Sequence, residues 1–275
     1  MSEIIHTRHL FPILDRKLIA LLRTLSDDDW NAPTRAKLWC VKDIAAHLLD
    51  GNIRTLSMSR DGYFGETPTD IHSYTDLVGF LNKLNADWVT ASRRIGPRVL
   101  TDLLEITGYQ YSRHMAELDL HAPAIFSVAW AGHETSPNWF HIAREYTEKW
   151  HHQQQIREAV GKPGIESREL YYPVLDTFLQ ALPHHYRQTD APQDTTVSVI
   201  ITGEAGGTWT IRREHQQWTF TPTPATADAT IILPDTEAWK LFTKGLAPHE
   251  AEKHLTLTGS SQLTHPLLTL VAVMA

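Results

Sequence analysis

Glu148 and His152 stand four residues apart in the stretch Arg144-Glu145-Tyr146-Thr147-Glu148-Lys149-Trp150-His151-His152-Gln153-Gln154-Gln155-Ile156-Arg157, which reads as a helix. On a helix this spacing sets a carboxylate and an imidazole roughly 40° apart on one face. His47, within Val41-Lys42-Asp43-Ile44-Ala45-Ala46-His47-Leu48-Leu49-Asp50, belongs to a second helical pattern upstream and can supply a third donor. Two nitrogens and one oxygen make an incomplete shell for a divalent metal. Catalytic zinc sites keep such a shell, with water or substrate in the open position.

The helices that must position these groups can be read from apolar periodicity. Ile142, Tyr146, Ile156 and Val160 mark one side of the downstream helix, flanked by Trp139 and Trp150, and Glu148 and His152 fall at the edge of that face. Gln155 and Ala159 lie nearby. His151 falls roughly opposite Ile142, where solvent is expected, so helical geometry prefers His152 over His151 as a ligand. His47, three residues after Ile44 and one before Leu48, sits at the border of its own helix's buried face. Facing helices of a bundle point side chains inward from such positions, and metal sites are commonly built there. On spacing alone the plain alternative stays open: a Glu/His pair at i,i+4 is often a local contact worth only a few tenths of a kcal/mol.

Other elements follow from the same periodicity. Phe11, Leu14, Leu18, Leu21 and Leu22 predict a first amphipathic helix ending near Ser26–Asp29, and Trp30–Thr34 reads as a loop. A second helix is expected from about Val41 to Leu56, with Asp43 near its positive end. Gly62, Gly65 and Pro68 should break the chain. A long helical pattern covers Ile71 to Ile95, and Pro97 suits the first turn of a helix running to about Leu120. His121–Trp130 reads as a short strand or packed connector. Ser136 and Pro137 look like an N-cap and first helical residue, and Gly161 to Gly164 stops the Glu148 helix.

After about residue 165 the texture changes. A helix at Glu169–Leu182 precedes strand-like runs at Thr195–Thr202, Thr208–Arg213, Gln217–Phe220, Thr230–Leu233 and Leu255–Leu257. Gly203–Gly207 reads as a hairpin turn, and helices are expected at Thr236–Thr243 and Leu263–Val273. This predicts a helical domain, 1–164, and an α+β domain, 165–275.

At 275 residues, 42% hydrophobic, the chain can bury a substantial core. Its net charge of -7 argues against nucleic-acid or anionic-membrane partners. No apolar run approaches the roughly 18 residues of a membrane span, and the first residues lack a basic-then-apolar leader. The single cysteine, Cys40, excludes an intrachain disulfide and fits a reducing cytoplasm. Cys40 begins the second helix, where a thiol can be activated, though a small buried thiol is the plainer reading. Arg54 and Arg144 could hold an acidic substrate or pair with neighbouring carboxylates; the pairing is preferred. No Ser/His/Asp order, Walker loop or GxGxxG motif supports another chemistry.

The segment Trp39-Cys40-Val41-Lys42-Asp43-Ile44-Ala45-Ala46-His47-Leu48 resembles the W-x-V-x-D-x-x-x-H-L pattern of DinB-like metalloenzymes, closest to the mycothiol-dependent maleylpyruvate isomerase group. Glu148-Lys149-Trp150-His151-His152 resembles that group's second signature, E-x-W-x-H. The resemblance implies an all-α, up-down four-helix bundle followed by a smaller α+β domain like sterol-carrier proteins. It implies a divalent metal, commonly zinc (nickel being an alternative), held by His47, Glu148 and His152, with a low-molecular-weight thiol as a second cofactor. Where the family often has an aspartate, this chain has Gln155, which can still orient a ligand without adding charge. The group's C-terminal domain contributes a basic residue, for which Lys244, before Gly245, is the candidate.

The expected function is therefore that of a zinc-dependent, thiol-using isomerase or transferase acting on a small molecule. Water or a thiol in the open position would be its nucleophile. A homodimer is compatible with it. Three rivals remain at this level: a metal-dependent hydrolase, a non-catalytic small-molecule or lipid binder with a structural metal, and a homo-oligomeric scaffold retaining an inactive site. Structural zinc usually has four protein ligands, which disfavours the second.

Overall fold

The computed structural model describes residues 3–66 and 71–273; Pro68, one of the expected breaks, lies outside them. By density of internal contacts the chain forms two compact units. One gathers His6–Ile125 and Glu148–Ile165; the other gathers Phe126–Thr147 and Glu166–Val273, with the residues up to Ile5.

The first unit is helical. α1 (Phe11–Leu22) buries Phe11, Leu14, Leu18 and Leu22, the apolar stripe visible in the sequence. The loop expected at Trp30 is instead a short helix, α2 (Asp27–Asn31). Ser26 starts it: the Asp29 amide donates to the Ser26 hydroxyl at 3.2 Å, and the Ser26 amide donates to the Asp29 carboxylate at 2.9 Å. That reciprocal cap turns a polar run into a helix start and carries Trp30 into the core. α3 (Val41–Thr55) continues as a π-helical turn, Leu56–Arg60. Gly62 and Gly65 follow in left-handed backbone, as their break positions require.

α4 (Tyr74–Ser92) and α5 (Pro97–Glu117) complete the first four long helices of the chain. α3 packs between α4 and α5, and α5 also packs on α1. The core of this unit joins Leu18 and Leu22 to Val41, Ile44, Ala45 and Leu48, and these to Leu100, Leu104 and Ile156. The Trp88 indole donates to the Ala46 carbonyl at 2.8 Å, tying α4 to α3.

α6 (Asn138–Ala159) ends before Gly161, which takes a left-handed φ of 64°. Its start differs from expectation. The Ser136 hydroxyl is occupied by the Val128 amide at 2.9 Å, and the Pro137 carbonyl accepts the first helical bonds from Phe140 and His141. Pro137 therefore stands just outside the first turn. His121–Trp130 forms no strand; it is a connector closing in a 3-10 turn at Ala129–Ala131.

The second unit carries a mixed five-stranded sheet. β1 (Thr196–Thr202), β2 (Gly207–Glu214), β3 (Gln217–Phe220), β4 (Ala229–Pro234) and β5 (Thr256–Thr258) lie in the order β3-β2-β1-β4-β5. β1–β2, β2–β3 and β4–β5 are antiparallel, while β1 and β4 run parallel with Val199 opposite Ile231. Val197, Val199, Ile201, Ile211, Ile231 and Leu233 are buried from this sheet. α7 (Arg168–Leu179) is followed by a single turn, α8 (Leu182–His185), and α9 (Asp235–Phe242) packs on β1 and β4. The Tyr171 hydroxyl links α7 to α9, donating to the Asp235 carbonyl at 2.6 Å and accepting from the Trp239 amide at 3.2 Å. α10 (Pro248–Ala251) and α11 (Ser261–Thr264) are also single turns. The helix expected at Leu263–Val273 is broken: α11 passes into a 3-10 turn, His265–Thr269, because Pro266 has no amide to continue an α-helical ladder.

Candidate metal centre

His47 arrives on the second full turn of α3, and Glu148 and His152 on successive turns of α6. One ligand atom from each lies within 4.8 Å of the other two. His152 Nε2 and Glu148 Oε2 are 3.5 Å apart, beyond a good hydrogen bond. Two donors held about 2.0–2.2 Å from a tetrahedral zinc sit roughly 3.3–3.6 Å apart, so the pair already has ligand spacing. The Nδ1 of His152 lies 2.9 Å from the Gln155 amide oxygen, and Nε2 is the ring nitrogen that faces the carboxylate.

His47 has an unmet polar atom. Its Nδ1 is buried and has no hydrogen-bond partner among the described residues. Burial, and next the neighbouring His152, hold its imidazole well below the usual histidine range; Glu148 opposes this more weakly. At neutral pH the ring is therefore uncharged, the form that ligates. An N,N,O donor set with one orphaned nitrogen fits a divalent cation. Trp39 stands beside both rings: its indole centroid is 4.9 Å from His47 and 6.3 Å from His152, and the two imidazoles meet edge-on at 4.6 Å.

The expectation of a solvent-facing His151 is corrected: it is 4% exposed, and its ring centroid lies 3.9 Å from that of His152. Polarity misled because α6 buries polar side chains as well as apolar ones. Lys149, Gln153, Gln154, Gln155 and Arg157 are all buried. Arg157 is satisfied by the Lys17, Lys162 and Pro163 carbonyls, and Lys149 by Asp15 at 3.0 Å. His151 remains outside the three-residue cluster.

Arg54 pairs with Asp50 at 2.8 Å and donates to Asn85 at 3.2 Å, while Arg144 pairs with Glu145 and contacts His141 at 3.1 Å. Both match the pairing reading. Cys40 is half-buried, its thiol 3.2 Å from the Asp43 carboxylate, and burial pushes its pKa up, so it rests as a thiol. Lys244 is exposed after α9 with a left-handed φ of 62°, in the unit that does not contain the cluster. Gln155, expected to be able to orient a ligand without adding charge, lies within hydrogen-bond distance of His152.

Residues 11–157, more than half of the chain, match the family model described as mycothiol maleylpyruvate isomerase N-terminal domain. No curated protein matches in sequence. Two solved structures share the fold: the mycothiol-dependent maleylpyruvate isomerase, at 10% identity, and a histidine-to-alanine mutant of it, at 9%. Each aligns with a TM-score of 0.55 over 94% of this chain and 93% of its own. No helix among the described residues is long and apolar enough to cross a membrane.

Proposed function

Because the chain belongs to the family of the mycothiol maleylpyruvate isomerase N-terminal domain, we propose that it is a divalent-metal enzyme of the thiol-using isomerase or transferase kind, with His47, Glu148 and His152 as the ligands. The observation that carries this reading is that one ligand atom each from His47, Glu148 and His152 lies within 4.8 Å of the other two, and that the buried Nδ1 of the His47 ring has no hydrogen-bond partner among the described residues. Zinc suits the N,N,O set, and nickel is the alternative. When bound, such an ion supplies Lewis acidity, lowering the pKa of a coordinated thiol or water and polarising a carbonyl.

The chain's own residues supply the rest. Gln155 bonds to His152, burial keeps His47 neutral, and the Trp39 indole packs beside both rings. Mycothiol, the thiol named for the two solved neighbours, is the proposed second cofactor, and the substrate is a small molecule. The helical region, 1–164, is read as an up-down four-helix bundle, and 165–275 as a sterol-carrier-like domain in which Lys244 is the candidate basic contact.

The test is metal stoichiometry after reconstitution with zinc or nickel, followed by turnover of maleylpyruvate with mycothiol, then with glutathione. One metal per chain is expected, lost in His47→Ala, Glu148→Ala and His152→Ala with the circular dichroism spectrum retained. A wild-type protein that takes up no metal overturns the reading; a loaded protein indifferent to every thiol refutes the thiol-using part alone.

A further inference from the structure

We infer that Trp39 is a positioning residue for the metal centre, its indole face orienting and electrostatically stabilising the His47 imidazole once that ring ligates a cation. The inference rests on the metal reading above. Three aromatic rings are packed together: Trp39 on His47 at 4.9 Å with 39° between the planes, Trp39 on His152 at 6.3 Å, and His47 edge-on to His152 at 4.6 Å. A cation is attracted to an indole face within about 6 Å of its centroid, which places His47 in range and leaves His152 just beyond it. An imidazole gains positive character when its lone pair is given to a divalent ion. The same indole that is indifferent to the neutral ring thus favours the loaded one, and Trp39 raises metal affinity rather than merely filling space.

The backbone around Trp39 is fixed with corresponding care. Its carbonyl accepts from the Thr34 amide at 3.3 Å and the Thr34 hydroxyl at 2.7 Å. Its amide donates to the Ala36 carbonyl at 2.7 Å, and the Val41 amide closes the loop onto the Ala32 carbonyl at 3.1 Å. Leu38, the preceding residue, is 91% exposed, so this bonding does not serve to bury the loop's apolar tip. It holds one side chain, that of Trp39, against the His47 imidazole and near His152. Rigid support of ligand rings is what keeps a metal site within the tolerance its affinity demands.

Core filling predicts something different. Trp39 packs against the helical core, and if that were its whole role, its loss would lower stability and leave the intrinsic affinity for metal unchanged. The experiment measures zinc affinity by competition with a chromophoric chelator for the full-length wild type and for Trp39→Phe, Trp39→Leu and Trp39→Met, with the melting temperature of each metal-free protein. Trp39→Leu and Trp39→Met are expected to bind zinc on the order of tenfold more weakly, while Trp39→Phe, which keeps an aromatic face, stays within about threefold of wild type. Equimolar zinc should also change the wild-type tryptophan emission, and that change should vanish in Trp39→Phe. Equal affinities for wild type and the aliphatic variants overturn the inference, as does an equal loss in all three variants, which assigns the effect to volume. Should Trp39→Leu fail to fold, the Phe and Met variants decide. A wild type that binds no zinc refutes the metal reading itself, a separate outcome.

Discussion

The Nδ1 of His152 lies 2.9 Å from the amide oxygen of Gln155, three residues further along α6. The proposed ligand and its hydrogen-bonding partner are thus carried on one rigid element. Orienting partners of this kind typically matter 10–100-fold in metal affinity. Gln155→Leu should therefore weaken zinc binding by at least about tenfold, and Gln155→Glu should restore it, since a carboxylate raises imidazole basicity. Competition titration checks both; an unaltered affinity in Gln155→Leu removes Gln155 from the site.

Lys149, adjacent to Glu148, holds Asp15 of α1 at 3.0 Å and lies over the Tyr111 ring at 4.5 Å. Its side chain is 9% exposed, so Asp15→Ala would strand a largely buried charge at a cost of about 3 kcal/mol. Replacing both partners, Asp15→Leu with Lys149→Met, should recover most of that loss. Urea unfolding of the two variants decides, and a cost below about 1 kcal/mol for Asp15→Ala would show that water reaches the pair.

Gly108 offers a case in which propensity and packing oppose each other. Alanine in a helix interior is favoured over glycine by about 1 kcal/mol, yet a Cβ at Gly108 would lie 2.9 Å from the Asp15 carboxylate oxygen. That carboxylate is already engaged by Lys149 and, at 3.3 Å, by the Ser112 hydroxyl. Gly108→Ala should destabilise, by roughly 1–3 kcal/mol. A higher melting temperature in this variant would mean that Asp15 can move freely.

Asp176 accepts the Trp209 indole N–H at 2.8 Å, and burial, reinforced by Glu3, pushes its pKa above the ordinary 3.8. A carboxyl whose pKa is raised in the folded state favours folding most when protonated, so its contribution is present below its ordinary range and lost as pH rises through the folded value. Asp176→Asn keeps an acceptor for Trp209 without the charge. Its melting temperature should exceed wild type at pH 7, with the difference shrinking toward pH 4. A difference independent of pH would rule out the carboxylate as its source.

Much of the helical unit was legible because its signals are local. The α1 stripe, Pro97 at the start of α5, Gly161 after α6 and the 40° offset of Glu148 from His152 all depend on residues within a few turns. The helical face of His47 offered it as a third donor, but only the two sequence signatures tied it to this pair, because spacing says nothing about which helices face each other. His151 was misread for a physical reason: α6 places amides and cations in the interior and satisfies them there, so polarity ceased to report exposure. In the sheet, the strand positions followed from β-branched runs and turn residues. The parallel pairing of β1 with β4 did not, since it joins Val197 to Ala229 with the whole β2–β3 hairpin in between.

That pairing makes the order of synthesis matter. β1 can form its antiparallel ladder with β2 as soon as Glu214 has emerged, but its other edge stays open until β4 is made. During that interval Val197, Val199 and Ile201 belong to a strand whose unpaired amides and carbonyls can template a foreign strand. Chains terminated before Ala229 would keep this edge permanently open and should self-associate, which makes the late closure of the sheet the step most in need of protection during folding.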